Sequence, residues 1–236
     1  MKIHILHLYP NEMNIYGDHG NLLTLTRRSQ WHGLEPVVHF HHAGQALPKT
    51  VHLILGGGGQ DSAQSDIQND VLRIGDDLHK LATAGVPMLM ICGMYQLFCH
   101  RFITHDKKQI QGIGIFNAET IASFKRMVGN IKVSSECGTL YGFENHSGRT
   151  FLLEGQKPLG SVLRGNGNNG QDGTEGARTN NVFGAYLHGP MLPNNPDFAD
   201  MLITTAMRLA GQPFGLKKID DRLASLARAT AKNRAY

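Results

Sequence analysis

The chain has few cysteines, and none of them are spaced to act together. Cys92, Cys99 and Cys137 are the three cysteines in 236 residues, and no C-x-x-C pair is present. An odd count without such a pair argues against a disulfide framework and against a zinc site. Free thiols are typical of reducing compartments, so we expect a cytoplasmic protein that holds no metal.

Long apolar runs are also missing. No segment approaches the ~18 consecutive apolar residues that a membrane-spanning helix needs, and residues 1–6 alternate instead of resembling a signal peptide. The net charge of +4 is modest. The basic residues near the C-terminus have no interleaved aromatic residues, so we expect neither membrane insertion nor nucleic-acid binding.

Short apolar segments alternate with segments of helical periodicity in the first part of the chain. They predict strands at residues 3–9, 36–41, 51–55 and 86–91, and helices at 21–31 and 66–85, the second capped by Asp66. This alternation predicts an α/β fold with a doubly wound, mostly parallel, flavodoxin-like sheet and helices on both faces.

The later part of the chain has a different pattern. Residues 112–163 predict an antiparallel extension of the same sheet, and residues 164–181 are rich in Gly and Asn and predict a mobile loop. Helical periodicity returns at residues 198–209 and 219–231. We predict a single domain over residues 1–236, in which residues 217–236 form a basic C-terminal helix.

Cys92 occupies the most informative position. The apolar run Val86-Pro87-Met88-Leu89-Met90-Ile91 leads into Cys92-Gly93 and then into a helical pattern. Strand, nucleophile, glycine and helix follow one another as in a nucleophile elbow, which presents a reactive side chain at the carboxyl edge of a sheet. The start of the following helix favours a thiolate. The alternative is a small buried core cysteine.

Two further strand ends carry groups that thiol chemistry needs. Residues 51–55 lead into the glycine loop 56–59, whose amides, with that of Gly93, can form an oxyanion hole. No Gly-Lys-Ser/Thr follows, so a phosphate-binding loop is not supported. The strand ending at Tyr186-Leu187-His188-Gly189 supplies His188 as a general base for Cys92.

These motifs, in this order, resemble the class I glutamine amidotransferase domain in its cobyric-acid-synthase-like branch. The likeness extends to the glutaminase subunits of lipid II isoglutaminyl synthases. It rests on segments between residues 7 and 190: HLYP at 7–10, NIYGD at 14–18, GGGQD at 57–61, GFENHSG at 142–148, GNGNNG at 165–170 and YLHGP at 186–190.

The resemblance implies a site and a partner. The implied catalytic residues are Cys92 and His188, and the implied substrate-binding residues are Arg126, Gly57, Gly58, Gly93 and Gln96. Arg126 would hold the carboxylate of L-glutamine. The chain itself would need no cofactor. The implied partner is a Mur-ligase-like ATPase subunit of the MurT type, which would bind ATP and Mg²⁺ and use the ammonia to amidate D-glutamate of lipid II, in a heterodimer that serves peptidoglycan synthesis.

Two positions depart from the pattern of the family. Many class I amidotransferases have Glu two residues after the histidine, where this chain has Pro190. Glu144 or a backbone carbonyl could then orient His188. Met94 stands where relatives commonly have Gly.

Three other functions remain open on the sequence alone. A stand-alone cysteine hydrolase or peptidase would share the elbow without needing Arg126. A non-catalytic binding subunit could keep the fold, and an amidotransferase could act on another acceptor, such as a corrinoid acid.

Overall fold

The computed structural model describes residues 1–232. The strands are β1 Lys2–Leu8, β2 Glu35–His41, β3 Leu53–Gly56, β4 Met88–Ile91, β5 Arg101–Ile103, β6 Gln109–Gln111, β7 Ala118–Ser135, β8 Gly138–Leu152, β9 Gly160–Arg164, β10 Thr174–Glu175, β11 Ala177–Thr179 and β12 Val182–Ala185. The helices are α1 His19–Trp31, α2 Asp61–Arg73, α3 Gly75–Thr83, α4 Gly93–Phe98, α5 Met191–Asn194, α6 Pro196–Leu209 and α7 Arg222–Lys232.

The first sheet has the strand order β11-β12-β4-β3-β1-β2. All of its neighbours pair in parallel except β11, which is antiparallel to β12. Every residue of β3, β4 and β12 is buried, as continuous apolar strands in the centre of a parallel sheet should be. Helix α1 packs with α5 and α6, whereas α2 packs with α3 and α4. The predicted doubly wound α/β class is confirmed.

Residues 112–163 do not extend the first sheet, contrary to the prediction. Strands β5 to β10 instead form a second sheet, in which most pairs are antiparallel. Its order is β10-β9-β7-β5-β6, and the long strand β8 pairs with β7. The two sheets touch at an isolated antiparallel bridge between Phe143 and His188. In that bridge each residue donates its backbone N–H to the other's carbonyl, at 3.2 and 2.8 Å. The second sheet therefore packs beside the carboxyl edge of the first.

The predicted helix at residues 66–85 is wrong in its bounds. Two helices cover this region, α2 from Asp61 and α3 from Gly75, so Asp66 lies inside α2 and caps nothing. The break is a kink, because Ile74 and Leu78 still donate to the carbonyls four residues earlier at 3.0 Å. A side chain at Gly75 would press on Ile113 at 3.1 Å, so the kink allows a close contact that periodicity alone does not reveal.

Residues 164–181, predicted as a mobile loop, form a segment with many internal hydrogen bonds that includes the short strands β10 and β11. The buried Asn168 side chain donates to Gly176 O at 2.9 Å and accepts from Gly176 N at 2.9 Å. Buried Glu175 accepts from Tyr186 N at 2.6 Å. Burial raises the pKa of Glu175 to about 8. Asparagine side chains thus supply the hydrogen bonds that a strand would otherwise provide.

The C-terminal helix is shorter than predicted. Residues 217–221 are not helical, α7 begins at Arg222, and residues 233–236 of the predicted helix lie outside the described residues. The buried guanidinium of Arg28 holds the segment before α7, with Asp200 at 2.6 Å and Asp221 at 2.7 Å. Between residues 1 and 232, none of the helices combines the length and apolar character needed to cross a membrane.

Candidate active site

Cys92 lies in the sharp turn between β4 and α4. Its backbone has φ 50° and ψ −104°, a conformation that non-glycine residues rarely adopt and that is characteristic of functional turns. The turn is fixed because Cys92 N donates to Ala185 O at 2.8 Å and Cys92 O accepts from Gln96 N at 2.9 Å. Cys92 is only 6% exposed and lines a cavity. The predicted nucleophile elbow is present.

His188 follows β12, the strand next to β4, so both side chains reach the same edge of the sheet. A methyl group at Gly58 would lie 3.1 Å from His188 Cε1 and 3.3 Å from Cys92 Cβ, which places the two side chains on either side of one glycine. Burial disfavours the charged imidazolium, but negative charge on Cys92 and Asp18 outweighs burial and raises the pKa of His188 to about 10. The arrangement favours the protonated imidazolium of His188 beside Cys92.

Asp18 is the acidic group that faces His188. Its Oδ1 lies 3.9 Å from His188 Nδ1, and both side chains are 1% exposed. Asp18 Oδ1 and both ring nitrogens of His188 are buried and have no hydrogen-bond partner within residues 1–232. Catalytic hydrogen bonds are often long in unliganded sites and shorten when substrate binds. Asp18 is therefore placed to orient His188, the role that a glutamate at the position of Pro190 has in many class I amidotransferases.

Glu144, the sequence-based candidate for that role, has a different task. Its carboxylate accepts hydrogen bonds from Asn166 N at 2.9 Å, Asn166 Nδ2 at 2.6 Å and Gly167 N at 3.0 Å. These bonds anchor the glycine- and asparagine-rich excursion to β8. Pro190 itself immediately precedes α5 and packs against Gly20 of α1. The sequence offered one sign of Asp18, its place in the segment at residues 14–18, but no strand end that would select it.

The glycine loop after β3 contributes differently from the prediction. Gly57 packs away from the cavity, where a Cβ would collide with the carbonyl oxygen of Met13. Gly58 N donates to Asp18 Oδ2 at 2.7 Å, so this amide is already used. The next residue, Gly59, lines the cavity. A Cβ on Gly93 would meet Gly59 N at 2.9 Å, which brings these two backbones together as the candidate oxyanion donors.

Arg126 reaches the same cavity from the second sheet. The register of β7 against β8 shifts between Ala122 and Met127, and such a bulge redirects the side chains within it. Arg126 Nε donates to Asn145 Oδ1 at 2.5 Å and its Nη2 to Asn145 O at 3.0 Å. Nη2 also donates to the Tyr16 hydroxyl. The Tyr16 ring in turn covers His188, with 4.3 Å between ring centroids.

The cavity has a volume of about 440 Å³, enough for an amino acid. Cys92 and Arg126 both line it, together with Ile15, Tyr16, Gly59, Gln60, Asp61, Ser62, Gln64, Gln96, Phe102, His105, Asn145, His146, Ser147 and Gly148. One side thus offers a nucleophile and the other a guanidinium, the group best shaped to bind a carboxylate through two hydrogen bonds.

Gln96 and Met94 both have structural roles, Gln96 through its hydrogen bonds and Met94 through its packing. Gln96 lines the cavity, but its Oε1 accepts from Gln64 at 2.8 Å and its Nε2 donates to the Tyr186 hydroxyl at 3.1 Å. Met94 is fully buried, and a Cβ on Gly56 would touch its Cγ at 2.8 Å. The unusual methionine therefore packs against β3 and does not enter the cavity.

No metal centre is found in the part of the chain that the structure describes, since no three His, Cys, Asp or Glu side chains come together as a metal ion would require. His41, in the histidine-rich strand β2, instead pairs with Asp70 at 2.8 Å.

This fold and this Cys–His site define a class I glutamine amidotransferase. The PurLQS structure from Thermotoga maritima has a similar fold, with a TM-score of 0.61 and 14% sequence identity, over 89% of this chain and 100% of that one. The model of the CobB/CobQ-like glutamine amidotransferase domain matches residues 4–196. The chain belongs to this family, which confirms the resemblance seen in the sequence.

Two relatives are similar over nearly their whole length. The chain is 38% identical to "Lipid II isoglutaminyl synthase (glutamine-hydrolyzing) subunit GatD" of Streptococcus pneumoniae, over 94% of this chain and 87% of the relative. It is 34% identical to the protein of the same name from Staphylococcus aureus, over 99% and 96%. Both relatives are thus named as subunits of a larger synthase.

Proposed function

We propose that this chain is the glutamine-hydrolysing subunit of a lipid II isoglutaminyl synthase. One observation carries the proposal: Cys92, paired with His188, and Arg126 line the same amino-acid-sized cavity. Glutamine has a carboxamide at one end and an α-carboxylate at the other, and the cavity offers one group to each.

The reaction begins with the Cys92 thiolate. Its sulfur forms a bond to the side-chain carbonyl carbon of L-glutamine, and the carbonyl oxygen becomes an oxyanion that accepts hydrogen bonds from the amides of Gly59 and Gly93. Collapse of this intermediate breaks the carbon–nitrogen bond. The His188 imidazolium donates its proton to the leaving nitrogen, so that ammonia departs and a glutamyl thioester remains on Cys92.

Water completes the cycle. Neutral His188 now takes a proton from a water molecule, whose oxygen attacks the thioester carbonyl. The second tetrahedral intermediate breaks the carbon–sulfur bond, releases glutamate and restores the thiolate–imidazolium pair. Asp18 acts as a positioning residue, since it faces the imidazolium from the Nδ1 side at 3.9 Å.

The acceptor and the partner follow from the relatives. The near full-length similarity to two GatD subunits supports lipid II as the molecule that is amidated and a second subunit that activates it. We propose a Mur-ligase-like ATPase of the MurT type, which binds ATP and Mg²⁺, activates the α-carboxylate of D-glutamate in the stem peptide and receives the ammonia in the cytoplasm. This full-length similarity favours lipid II over a corrinoid acid, and Arg126 favours glutamine over a peptide.

The experiment tests whether the amide nitrogen of glutamine is transferred to lipid II. The chain is mixed with its ATPase subunit, ATP, Mg²⁺, lipid II and glutamine labelled with ¹⁵N in the side-chain amide. Mass spectrometry of the stem peptide should show one ¹⁵N per amidated molecule. If the same ATPase amidates lipid II from free ammonium but incorporates no ¹⁵N when this chain and labelled glutamine are supplied, the proposed function is wrong.

A further inference from the structure

Glutamine is a zwitterion, so a site that selects it needs an anion as well as a cation. Arg126 provides the cation for the α-carboxylate. Arg126, itself a cation, cannot pair with the α-ammonium group, which is the feature that separates an α-amino acid from a simple carboxylic acid amide. A buried or half-buried ammonium group requires a hydrogen-bonded counter-charge.

Asp61 is the one carboxylate among the residues that line the cavity in the described part of the chain. It is the first residue of α2 and follows the glycine loop directly, so the backbone that supplies Gly59 also fixes Asp61. Its side chain is partly buried. The positive end of α2 stabilises a carboxylate there without a cation.

The Asp61 carboxylate has no ion-pair partner within residues 1–232. Burial raises its pKa, and Arg126 and His105 act in the opposite direction. Arg126 is therefore close enough to influence Asp61 electrostatically, yet no salt bridge joins the two, and the guanidinium is bonded to Asn145 instead. The other nearby titratable group, Asp106, is negative and pairs with Lys108 at 2.8 Å. The lining of this amino-acid-sized cavity thus carries both an acidic and a basic side chain that are not joined in a salt bridge.

We propose that Asp61 binds the α-ammonium group of glutamine and is the residue that makes this site specific for an α-amino acid. The proposal rests on the proposed function and deepens it. With Arg126 on the carboxylate and Cys92 at the carboxamide, Asp61 supplies a third point of attachment. Three such points distinguish L-glutamine from its enantiomer as well as from analogues that lack the amino group.

The test compares two substrates. Glutaramate is glutamine without its α-amino group, so it keeps the carboxylate and the carboxamide. Asp61→Asn in the full chain, with its ATPase partner, should lower kcat/KM for L-glutamine roughly 10- to 100-fold, as expected for a lost charged hydrogen bond. Most of the loss should be in KM. The kcat/KM for glutaramate, or its inhibition constant where turnover is slow, should stay within about twofold.

The control is Asp66→Asn, an exposed aspartate on the same helix, which should leave both substrates unaffected. An Asp61→Asn variant that loses activity equally on both substrates would show that Asp61 only supports the start of α2, and the proposal would be overturned. Unchanged kcat/KM for L-glutamine would overturn it as well. If the wild-type chain hydrolysed neither substrate, the proposed function itself would fail, an outcome that the wild-type control reveals separately.

Discussion

At the scale of single residues, the acid that orients His188 comes from an unexpected place. Asp18 lies just before α1 and accepts the Gly58 amide through one oxygen, at 2.7 Å, while the other oxygen faces His188 at 3.9 Å. One carboxylate therefore steadies both the histidine and the glycine loop.

Asp18→Asn should separate these two tasks. The amide oxygen can still accept from Gly58, but the negative charge that raises the pKa of His188 is lost. The pKa of His188 should fall, and since His188 must be protonated to release ammonia, the alkaline limb of the kcat profile should move to lower pH. We expect kcat at neutral pH to fall about tenfold or more, as measured by glutamate release.

The matched control for this variant is Asp76→Asn, an exposed aspartate of α3, which should leave the profile unchanged. A profile of Asp18→Asn that keeps the wild-type alkaline limb would contradict the positioning role. A simple loss of folded protein would lower the amplitude at every pH without moving the limb, so the shift distinguishes the two explanations.

The sequence identified Cys92 and His188, which follow predicted strands, but not Asp18, which does not. Cys92 comes directly after β4, and His188 follows shortly after β12 ends at Ala185. Parallel strands of one sheet bring such residues to the same edge. Asp18 is positioned by the path of the chain between β1 and α1, which no local pattern specifies. Asp61 was visible in the segment at residues 57–61, yet only the cavity shows what it faces.

At the scale of elements, the turn between β3 and α2 holds the site together. Its glycines differ in what surrounds them. A Cβ at Gly57 would strike the backbone of Met13, whereas a Cβ at Gly58 would press on His188 and Cys92 at 3.1 and 3.3 Å. Backbone cannot move aside as easily as a side chain can, so the two positions tolerate substitution differently.

Gly57→Ala and Gly58→Ala should therefore fail in different ways. Gly57→Ala should lower the free energy of unfolding by about 1–3 kcal/mol, the usual cost of overpacking a close contact, as read from urea denaturation. Gly58→Ala should keep most of its stability but lose glutaminase activity, because the Cys–His pair is forced apart. Equal stability of the two variants, with equal activity, would contradict this assignment.

Element boundaries show where sequence reasoning stops. The order of strands and helices around the first sheet follows from apolar periodicity. The kink between α2 and α3 depends on Ile113 packing against Gly75, and the separation of the second sheet depends on which strands pair with β7. Both are contacts between distant segments, so local sequence patterns do not specify them.

At the scale of the whole molecule, both sheets contribute residues to the proposed substrate site. The first sheet carries Cys92 and His188, the proposed nucleophile and general acid–base, at its carboxyl edge, and the second carries Arg126 in the bulge of β7. The backbone bridge between Phe143 and His188 joins the two sheets at the active site itself. The distance between Cys92 and Arg126 is therefore set by how the two sheets pack against each other.

The central claim is that Cys92 hydrolyses glutamine. The measurement is glutamate release from L-glutamine by the chain with its ATPase subunit, compared between wild type, Cys92→Ala and the control Cys137→Ala, whose thiol lies outside the cavity and is partly buried. We predict that Cys92→Ala releases no glutamate above background, and that Cys137→Ala matches the wild type. Glutamate release by Cys92→Ala at the wild-type rate, or none by the wild type, would contradict the account.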